Sequence, residues 1–161
     1  MAPVTKILVP TDFSATADAA LDYAKVLAGQ LGASLHLLHV FSDPYAVAAH
    51  APDVYATLPP TLRAQALEEA RECLRQRLPA DEEERFRGTC DIVSGLTAKQ
   101  IVEYSGENGI DLIVMGTHGR RGVAHLLLGS VAEHVVRIAA CPVLTIRDPG
   151  TPKHGHIEQV A

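Results

Sequence analysis

A glycine-rich and basic segment between residues 116 and 130 follows the apolar run Leu112 to Met115. Its glycine, hydroxyl and basic positions are Gly116, Thr117, His118, Gly119, Arg120, Arg121, Gly129 and Ser130. Backbone N–H groups approach an anion closely where no Cβ intrudes, and the N-terminus of a helix attracts negative charge. A strand followed by such a loop and then by a helix predicts a phosphate-binding site, and with it a nucleotide ligand.

The spacing Gly116-x2-Gly119-x9-Gly129-Ser130 separates this segment from two common phosphate loops. The chain has no G-x-x-x-x-G-K-[ST] sequence, and the dinucleotide fingerprint G-x-G-x-x-G belongs after the first strand. Glycine also serves ordinary turns. The prediction therefore depends on the strand before the loop, the helix start at Ser130 and the basic side chains in between.

Five short β-branched runs alternate with longer segments of helical period. This pattern is typical of an α/β fold in which helices cover both faces of an open, five-stranded parallel sheet. The predicted strands are Lys6–Val9, Ser34–Phe41, a weaker run around Cys90–Val93, Leu112–Met115 and Val143–Ile146.

Four helices are predicted between these strands. The first begins after Ser14 as N-cap and ends at Gly32, and capping boxes at Thr97 to Gln100 and at Ser130 to Glu133 open the third and fourth. The positions predicted to face the core are Ala20, Ala24, Leu27 and Leu31, then Leu62, Ala66, Ala70, Cys73 and Leu74, then Ile101 and Val102, and finally Val131, Val135 and Ile138.

The length of 161 residues predicts one domain, residues 1–147, followed by a polar tail, residues 148–161. The segment from Ser42 to Pro60 has no clean period, and we interpret it as a lid or a mobile insert. The net charge of −5 argues against nucleic acid or an anionic membrane as a partner. With no signal-like N-terminus and no long apolar stretch, we expect a cytoplasmic protein.

Cysteines and histidines do not predict a metal site or a disulfide framework. Cys73, Cys90 and Cys141 are widely spaced and form no C-x-x-C pair, so we interpret them as small core residues or incidental thiols. His36 and His39 are three apart in a strand and should point to opposite faces. We expect no metal bound by protein side chains alone.

The chain resembles the universal stress protein family, in its ATP-binding branch. The resemblance covers about Pro3 to Arg147 and rests on Ile7-Leu8-Val9-Pro10-Thr11-Asp12, on the glycine spacing above and on Cys141-Pro142-Val143-Leu144. It implies an adenine nucleotide alpha hydrolase-like sheet of order 3-2-1-4-5, with ATP and magnesium at the carboxyl ends of strands one and four. Ligands of open α/β sheets do bind at such a switch point.

The resemblance also implies roles for single residues. Asp12 matches the acidic residue that holds the ribose, and Val40 matches the backbone position that reads adenine. The whole set of predicted nucleotide-binding positions is Pro10, Thr11, Asp12, Val40, Met115, Gly116, Thr117, His118, Gly119, Arg120, Gly129, Ser130 and Val131. Two alternatives stay open: Asp12 serves only to cap the first helix or its turn, and Ser130 serves mainly as a cap.

The function predicted is that of a stress or regulatory module in which bound ATP alters shape or partner affinity. The alternative is a slow, magnesium-dependent ATPase, in which Asp12 or a loop histidine orients water, although no Walker lysine or arginine finger is identifiable. A phospho-receiver domain is excluded because the third strand ends in Ser94-Gly95, where the acceptor aspartate is needed. Val143 to Arg147 should be an edge strand that pairs with a second copy in a homodimer.

Overall fold

The computed structural model describes residues 3–41, 59–117 and 129–147. Within them the elements are β1 Lys6–Thr11, α1 Ala15–Leu31, β2 Ser34–Phe41, α2 Pro60–Arg77, α3 Ala80–Arg85, β3 Thr89–Ser94, α4 Thr97–Glu107, β4 Leu112–Gly116, α5 Ser130–Ile138 and β5 Val143–Ile146. All five predicted strands are confirmed. The short, acidic α3 was not predicted, because six residues carry too little periodicity. Most of the predicted insert, residues 42–58, and the tail, residues 148–161, lie outside the described residues.

The five strands form one parallel sheet of order β3-β2-β1-β4-β5, which confirms the predicted topology. In chain order, β2 lies beside β1 and β3 beside β2, whereas β4 lies on the other side of β1. The strand order therefore reverses between β1 and β4, and this reversal is the topological switch point of the sheet.

Two hydrophobic cores lie on the two faces of the sheet, because successive side chains of each strand point to opposite sides. On one face α1 and α2 pack over Ile7, Val9, Leu35, Leu37 and Val114. On the other face α4 and α5 pack over Leu8, Leu38, Val40, Ile113 and Met115. Cys90 packs against the first core and Cys141 against the second, as predicted for small core residues.

Helix ends show where local sequence signals succeed and fail. Ser14 caps α1 by accepting a hydrogen bond from the Ala17 N–H, and Gly32 ends this helix at φ +65°, both as predicted. The two capping boxes are wrong. The N-caps are Leu96 and Gly129, neither with a side-chain cap hydrogen bond, so the hydroxyl residues already lie inside the helices.

Three predicted core positions are wrong for a common reason. Leu31 is 51% exposed, Leu62 is 51% exposed and Ile138 is 44% exposed. Each lies in the first or last turn of its helix, where the helix extends beyond the sheet that the periodic pattern assumes beneath it. In the described ranges, no helix has the length and hydropathy needed to cross a membrane.

Candidate functional site

The carboxyl ends of β1 and β4 lie beside each other at the switch point of the sheet, and we call the region between them the crevice. The ladder between these strands ends at the pair Leu8 and Ile113. The strands themselves continue, β1 to Thr11 and β4 to Gly116. Pro10 pairs with Leu38 of β2 but lies beyond the last β1–β4 pair, and it has no amide hydrogen with which to extend that ladder. This edge is the switch point of the sheet, where ligands of this architecture bind.

The β1–α1 turn, residues 11–14, forms one wall of this crevice. The Phe13 N–H donates to Thr11 Oγ1 at 3.0 Å, and the Ser14 N–H donates to Asp12 Oδ1 at 3.1 Å. Asp12 therefore shapes the turn, whereas Ser14 caps α1.

Two side chains from other elements hold the β1–α1 turn from outside. His39 Nδ1 lies 2.9 Å from the Thr11 carbonyl oxygen, and its ring stacks on Phe13 with centroids 4.4 Å apart. Arg77 donates from Nη2 to the Phe13 carbonyl oxygen at 3.2 Å. Phe13, His39 and Arg77 belong to none of the sequence motifs that predicted the site. Only the alignment of Thr11 with His39 in the sheet, and the packing of α2 on α1, bring them together.

The end of β4 packs closely against the first turn of α1. A Cβ on Gly116 would lie 2.9 Å from Thr16 Cγ2 and 3.2 Å from the Thr16 backbone C and O atoms. Thr16 and Thr117 are both buried at this edge. Helix packing therefore favours glycine at residue 116, independently of any phosphate.

The entrance to α5 lies next to the end of β4. The Thr117 N–H donates to the Ile146 carbonyl oxygen at 2.8 Å, and the Gly129 N–H donates to the Thr117 carbonyl oxygen at 2.7 Å. The first intrahelical bond of α5 runs from Glu133 N–H to the Gly129 carbonyl oxygen. The amides that precede it, from Ser130 onward, are those that a helix N-terminus offers to an anion. Instead of completing a box, the Glu133 carboxylate accepts from Arg137.

Val40 lies at the rim of the crevice. The register between β1 and β2 ends at Thr11 and His39, so Val40 is the first β2 residue beyond it. Its side chain is buried in the same core as Met115.

The structure thus brings together most of the predicted site. Pro10, Thr11, Asp12, Val40, Met115, Gly116, Thr117, Gly129, Ser130 and Val131 are all placed at the ends of β1, β2 and β4 or in the first turn of α5. His118, Gly119 and Arg120 lie outside the described residues, and their roles stay predictions.

A second group of titratable side chains, His36, Asp91 and Tyr104, lies away from the crevice between β2, β3 and α4. His36 projects toward Tyr104 of α4, whereas His39 stacks on Phe13, so the two histidines occupy opposite faces as predicted. Tyr104 Oη donates to Asp91 and lies 3.1 Å from His36 Nδ1. Burial, with a smaller contribution from the Lys6 charge, lowers the pKa of His36. Across the residues placed by the structure, no cluster of three or more His, Cys, Asp or Glu side chains could hold a metal ion.

The sequence model of the universal stress protein family matches residues 3–147. The chain belongs to the universal stress protein family. Universal stress protein MJ0531 of Methanocaldococcus jannaschii is 33% identical over 89% of this chain and 82% of its own length. The family that the motifs predicted is thereby confirmed.

Solved structures agree with this assignment. The structure of MJ0577, from the same organism, superposes with a TM-score of 0.76 at 31% identity, covering 91% of this chain and 97% of that one. UspA from Lactobacillus plantarum follows at a TM-score of 0.70 and 29% identity, covering 91% of this chain and 100% of its own.

Two more distant universal stress proteins share the fold and were solved with adenine nucleotides. One is a complex with cAMP, at 24% identity, a TM-score of 0.63 and coverage of 91% and 99% of the two chains. The other, from Archaeoglobus fulgidus, is a complex with dAMP, at 22% identity, a TM-score of 0.63 and coverage of 90% and 99%.

Proposed function

We propose that this universal stress protein binds ATP in the crevice between β1 and β4 and uses it as a regulatory signal. The observation that carries the proposal is the early end of the β1–β4 ladder at Leu8 and Ile113. Beyond this point β1 offers no amide to β4, and the switch point has the Asp12 carboxylate on one side and the N-terminus of α5 on the other. The cAMP and dAMP complexes of two proteins of this fold hold ligands of the proposed class.

The nucleoside half of ATP is assigned to β1 and β2. The Asp12 carboxylate, held by the Ser14 N–H, would accept hydrogen bonds from ribose hydroxyls. The Val40 backbone, at the rim of the crevice, would pair with the adenine edge, because an amide and a carbonyl of a strand end imitate a base-pairing edge.

The phosphate half is assigned to the loop after β4 and to the first turn of α5. The helix amides from Ser130 onward, the Ser130 hydroxyl and the basic loop residues would meet the phosphate oxygens. Magnesium, when bound, would neutralise phosphate charge there. We infer a switch rather than an ATPase, because the described residues at the crevice supply binding groups without a committed base for attack on the γ-phosphate.

Calorimetric titration of MgATP into the parent and two Asp12 variants tests the nucleoside half. Asp12→Ala should weaken binding at least about tenfold, or about 1.4 kcal/mol. Asp12→Asn keeps an oxygen acceptor for the Ser14 N–H but loses the charge, so it should retain the turn and still bind weakly. Asp81→Ala, an exposed carboxylate on α3, is the matched control. If both Asp12 variants bind like the parent, Asp12 is structural only.

Gly129→Val tests the phosphate half in the same titration. The backbone of Gly129, at φ −72° and ψ 156°, is allowed for valine, so the variant should fold. Its branched side chain would stand at the helix N-terminus and should abolish binding. Unchanged affinity in the folded variant would refute the assignment. Single-turnover hydrolysis of ATP over hours would agree with a switch, whereas turnover within seconds would make the protein an enzyme.

We also propose that the protein is a homodimer joined through β5. This strand lies at one edge of the sheet and carries the uncharged sequence Val143 to Ile146, whereas the other edge strand, β3, carries Asp91. An apolar edge without charge or proline invites pairing. On the adjacent α5, Val136 is 47% exposed, which adds apolar surface beside the edge.

Hydrogen bonds to β4 show which groups of β5 face outward. The carbonyl oxygens of Pro142 and Ile146 accept from β4 and from Thr117, so by the two-residue period Val143 and Thr145 direct their backbone groups to the open edge. The sequence prediction extended this strand to Arg147, but the strand ends at Ile146.

Thr145→Pro removes one outward amide and should shift the protein toward monomer in sedimentation, with ATP affinity retained. Thr145→Ala keeps the amide and should remain dimeric. A parent that sediments as a monomer at micromolar concentration would overturn the dimer, and a dimeric proline variant would move the interface elsewhere.

A further inference from the structure

Arg77, the last residue of α2, bridges two parts of the chain that lie about sixty residues upstream. Its Nε donates to Asp18 Oδ1 at 2.6 Å and its Nη2 donates to Asp18 Oδ2 at 3.1 Å, a bidentate pair with the first turn of α1. The same Nη2 donates to the Phe13 carbonyl oxygen at 3.2 Å. One guanidinium therefore ties the start of α1 to the turn that precedes it.

Phe13 needs such support because its backbone is in the left-handed region, at φ +65°. A bulky residue with a Cβ adopts this conformation only where its surroundings impose it. The Phe13 ring is contacted by the His39 ring at 4.4 Å and by the Arg77 guanidinium at 4.9 Å. Ring and carbonyl of Phe13 are thus both held by residues from outside the turn.

Arg77 is itself firmly anchored. Its Nη1 donates to the Cys73 carbonyl oxygen one turn earlier, and its own carbonyl oxygen accepts from Lys25 Nζ of α1 at 2.8 Å. The Arg77 side chain is 21% exposed, whereas Arg71 on the same helix is 55% exposed and pairs with a neighbouring glutamate of that helix, Glu68. Arg77 therefore joins α2 to α1 and to the β1–α1 turn, whereas the Glu68 contact of Arg71 stays within α2.

We propose that Arg77 is a positioning residue of the nucleotide site. It fixes Phe13 in the left-handed conformation, and this conformation directs the neighbouring Asp12 carboxylate toward the crevice. The inference rests on the proposed function, because it assigns Arg77 a role in ATP affinity although it places Arg77 outside the ligand contacts. Lysine would keep the charge but cannot offer the planar fork that reaches Asp18 and Phe13 together.

The test compares Arg77→Met, Arg77→Lys and the matched control Arg71→Met in the full chain. MgATP affinity is measured by calorimetry, and exchange of the Phe13 and Ser14 amide hydrogens is measured by NMR without nucleotide. Arg77→Met should bind about five- to tenfold more weakly and should exchange both amides faster. Arg77→Lys should be intermediate in both measurements, and Arg71→Met should match the parent.

A further control separates positioning from general loss of stability. Ile101→Val removes a methylene from the core on the other face of the sheet, so it should lower the melting temperature but leave ATP affinity unchanged. Parent-like affinity in Arg77→Met would overturn the inference, with or without faster exchange. So would an equal loss of affinity in Ile101→Val. A parent that does not bind ATP would refute the proposed function instead, and the exchange data would still show whether Arg77 holds the turn.

Discussion

The two edges of the sheet use their polar groups in opposite ways. At the amino edge, a single oxygen of Asp111 accepts from the Thr5 N–H, the Thr5 hydroxyl and the Lys6 N–H, at 2.8, 2.8 and 3.0 Å. The Asp111 N–H donates to the Lys6 carbonyl oxygen at 3.0 Å. These hydrogen bonds join the start of β1 to the start of β4.

At the carboxyl edge the ladder between the same two strands ends at Leu8 and Ile113. The polar side chains that follow, Thr11 and Asp12, accept hydrogen bonds from amides of the β1–α1 turn. We call the amino edge, where Asp111 joins β1 to β4, the closed edge, and the carboxyl edge, where Thr11 and Asp12 shape the turn, the open edge.

Gly116→Ala should give the largest effect and shows how tightly the open edge is packed. The added Cβ would meet Thr16 at 2.9 Å, so we expect the free energy of unfolding to fall by about 1–3 kcal/mol. Gly29→Ala, where a Cβ meets nothing within 4 Å, should instead gain about 0.5–1 kcal/mol in a helix. Chemical denaturation measures both.

Adding Thr16→Ser to Gly116→Ala removes the nearer atom, Thr16 Cγ2, and should restore part of the loss. An alanine variant as stable as the parent would show that α1 and β4 adjust to the side chain, and that packing does not require glycine here.

Asp111→Ala should have the second-largest effect. It should change the stability of the protein without changing its affinity for ATP. It leaves two backbone amides and a hydroxyl to solvent, which we expect to lower the free energy of unfolding by about 1–2 kcal/mol while ATP affinity is unchanged. Asp111→Asn keeps one acceptor and should lose less. An Asp111 variant with parent stability and weakened ATP binding would show that Asp111 serves the ligand rather than the fold.

The Asp111 variants also carry a pH signature. Hydrogen bonds from Thr5, first from its N–H and then from its hydroxyl, lower the pKa of Asp111. A carboxyl whose pKa is lowered by folding stabilises the protein above its unfolded pKa. This stabilisation is lost as the pH falls through the folded value. The stability difference between parent and Asp111→Asn should therefore shrink on acidification.

His36→Gln should give the smallest effect, away from the open edge. Folding lowers the pKa of His36 below 6.5, so the unfolded chain takes up the proton more readily and the parent loses stability as the pH falls below that value. Because the imidazole is half-buried, we expect less than about 1 kcal/mol between pH 7.5 and 5.5. The glutamine variant should lose less over this range, as measured by denaturation at both pH values. Identical losses would assign the acid sensitivity to other groups.

Much of the fold could be predicted because its signals are local. The five strands are short apolar runs separated by glycine and polar turns, and Ser14 and Gly32 mark the ends of α1 through the conformations that they favour. The exposed Leu31 and Ile138 show the limit of this reasoning. Helical period tells which face a residue lies on, but the sheet's extent decides whether anything covers that face.

By itself, the sequence determined the family and the order of the elements, and it predicted the candidate site, because the glycine spacing, the motif that ends in Asp12 and each strand run are local patterns of the chain. Only the tertiary structure decided which groups reach that site. Strand register and helix packing bring His39 and Arg77 into contact with Phe13. They also set the close approach of Thr16 to Gly116 and the end of the β1–β4 ladder. These arise from distances between residues far apart in sequence, which no local pattern encodes.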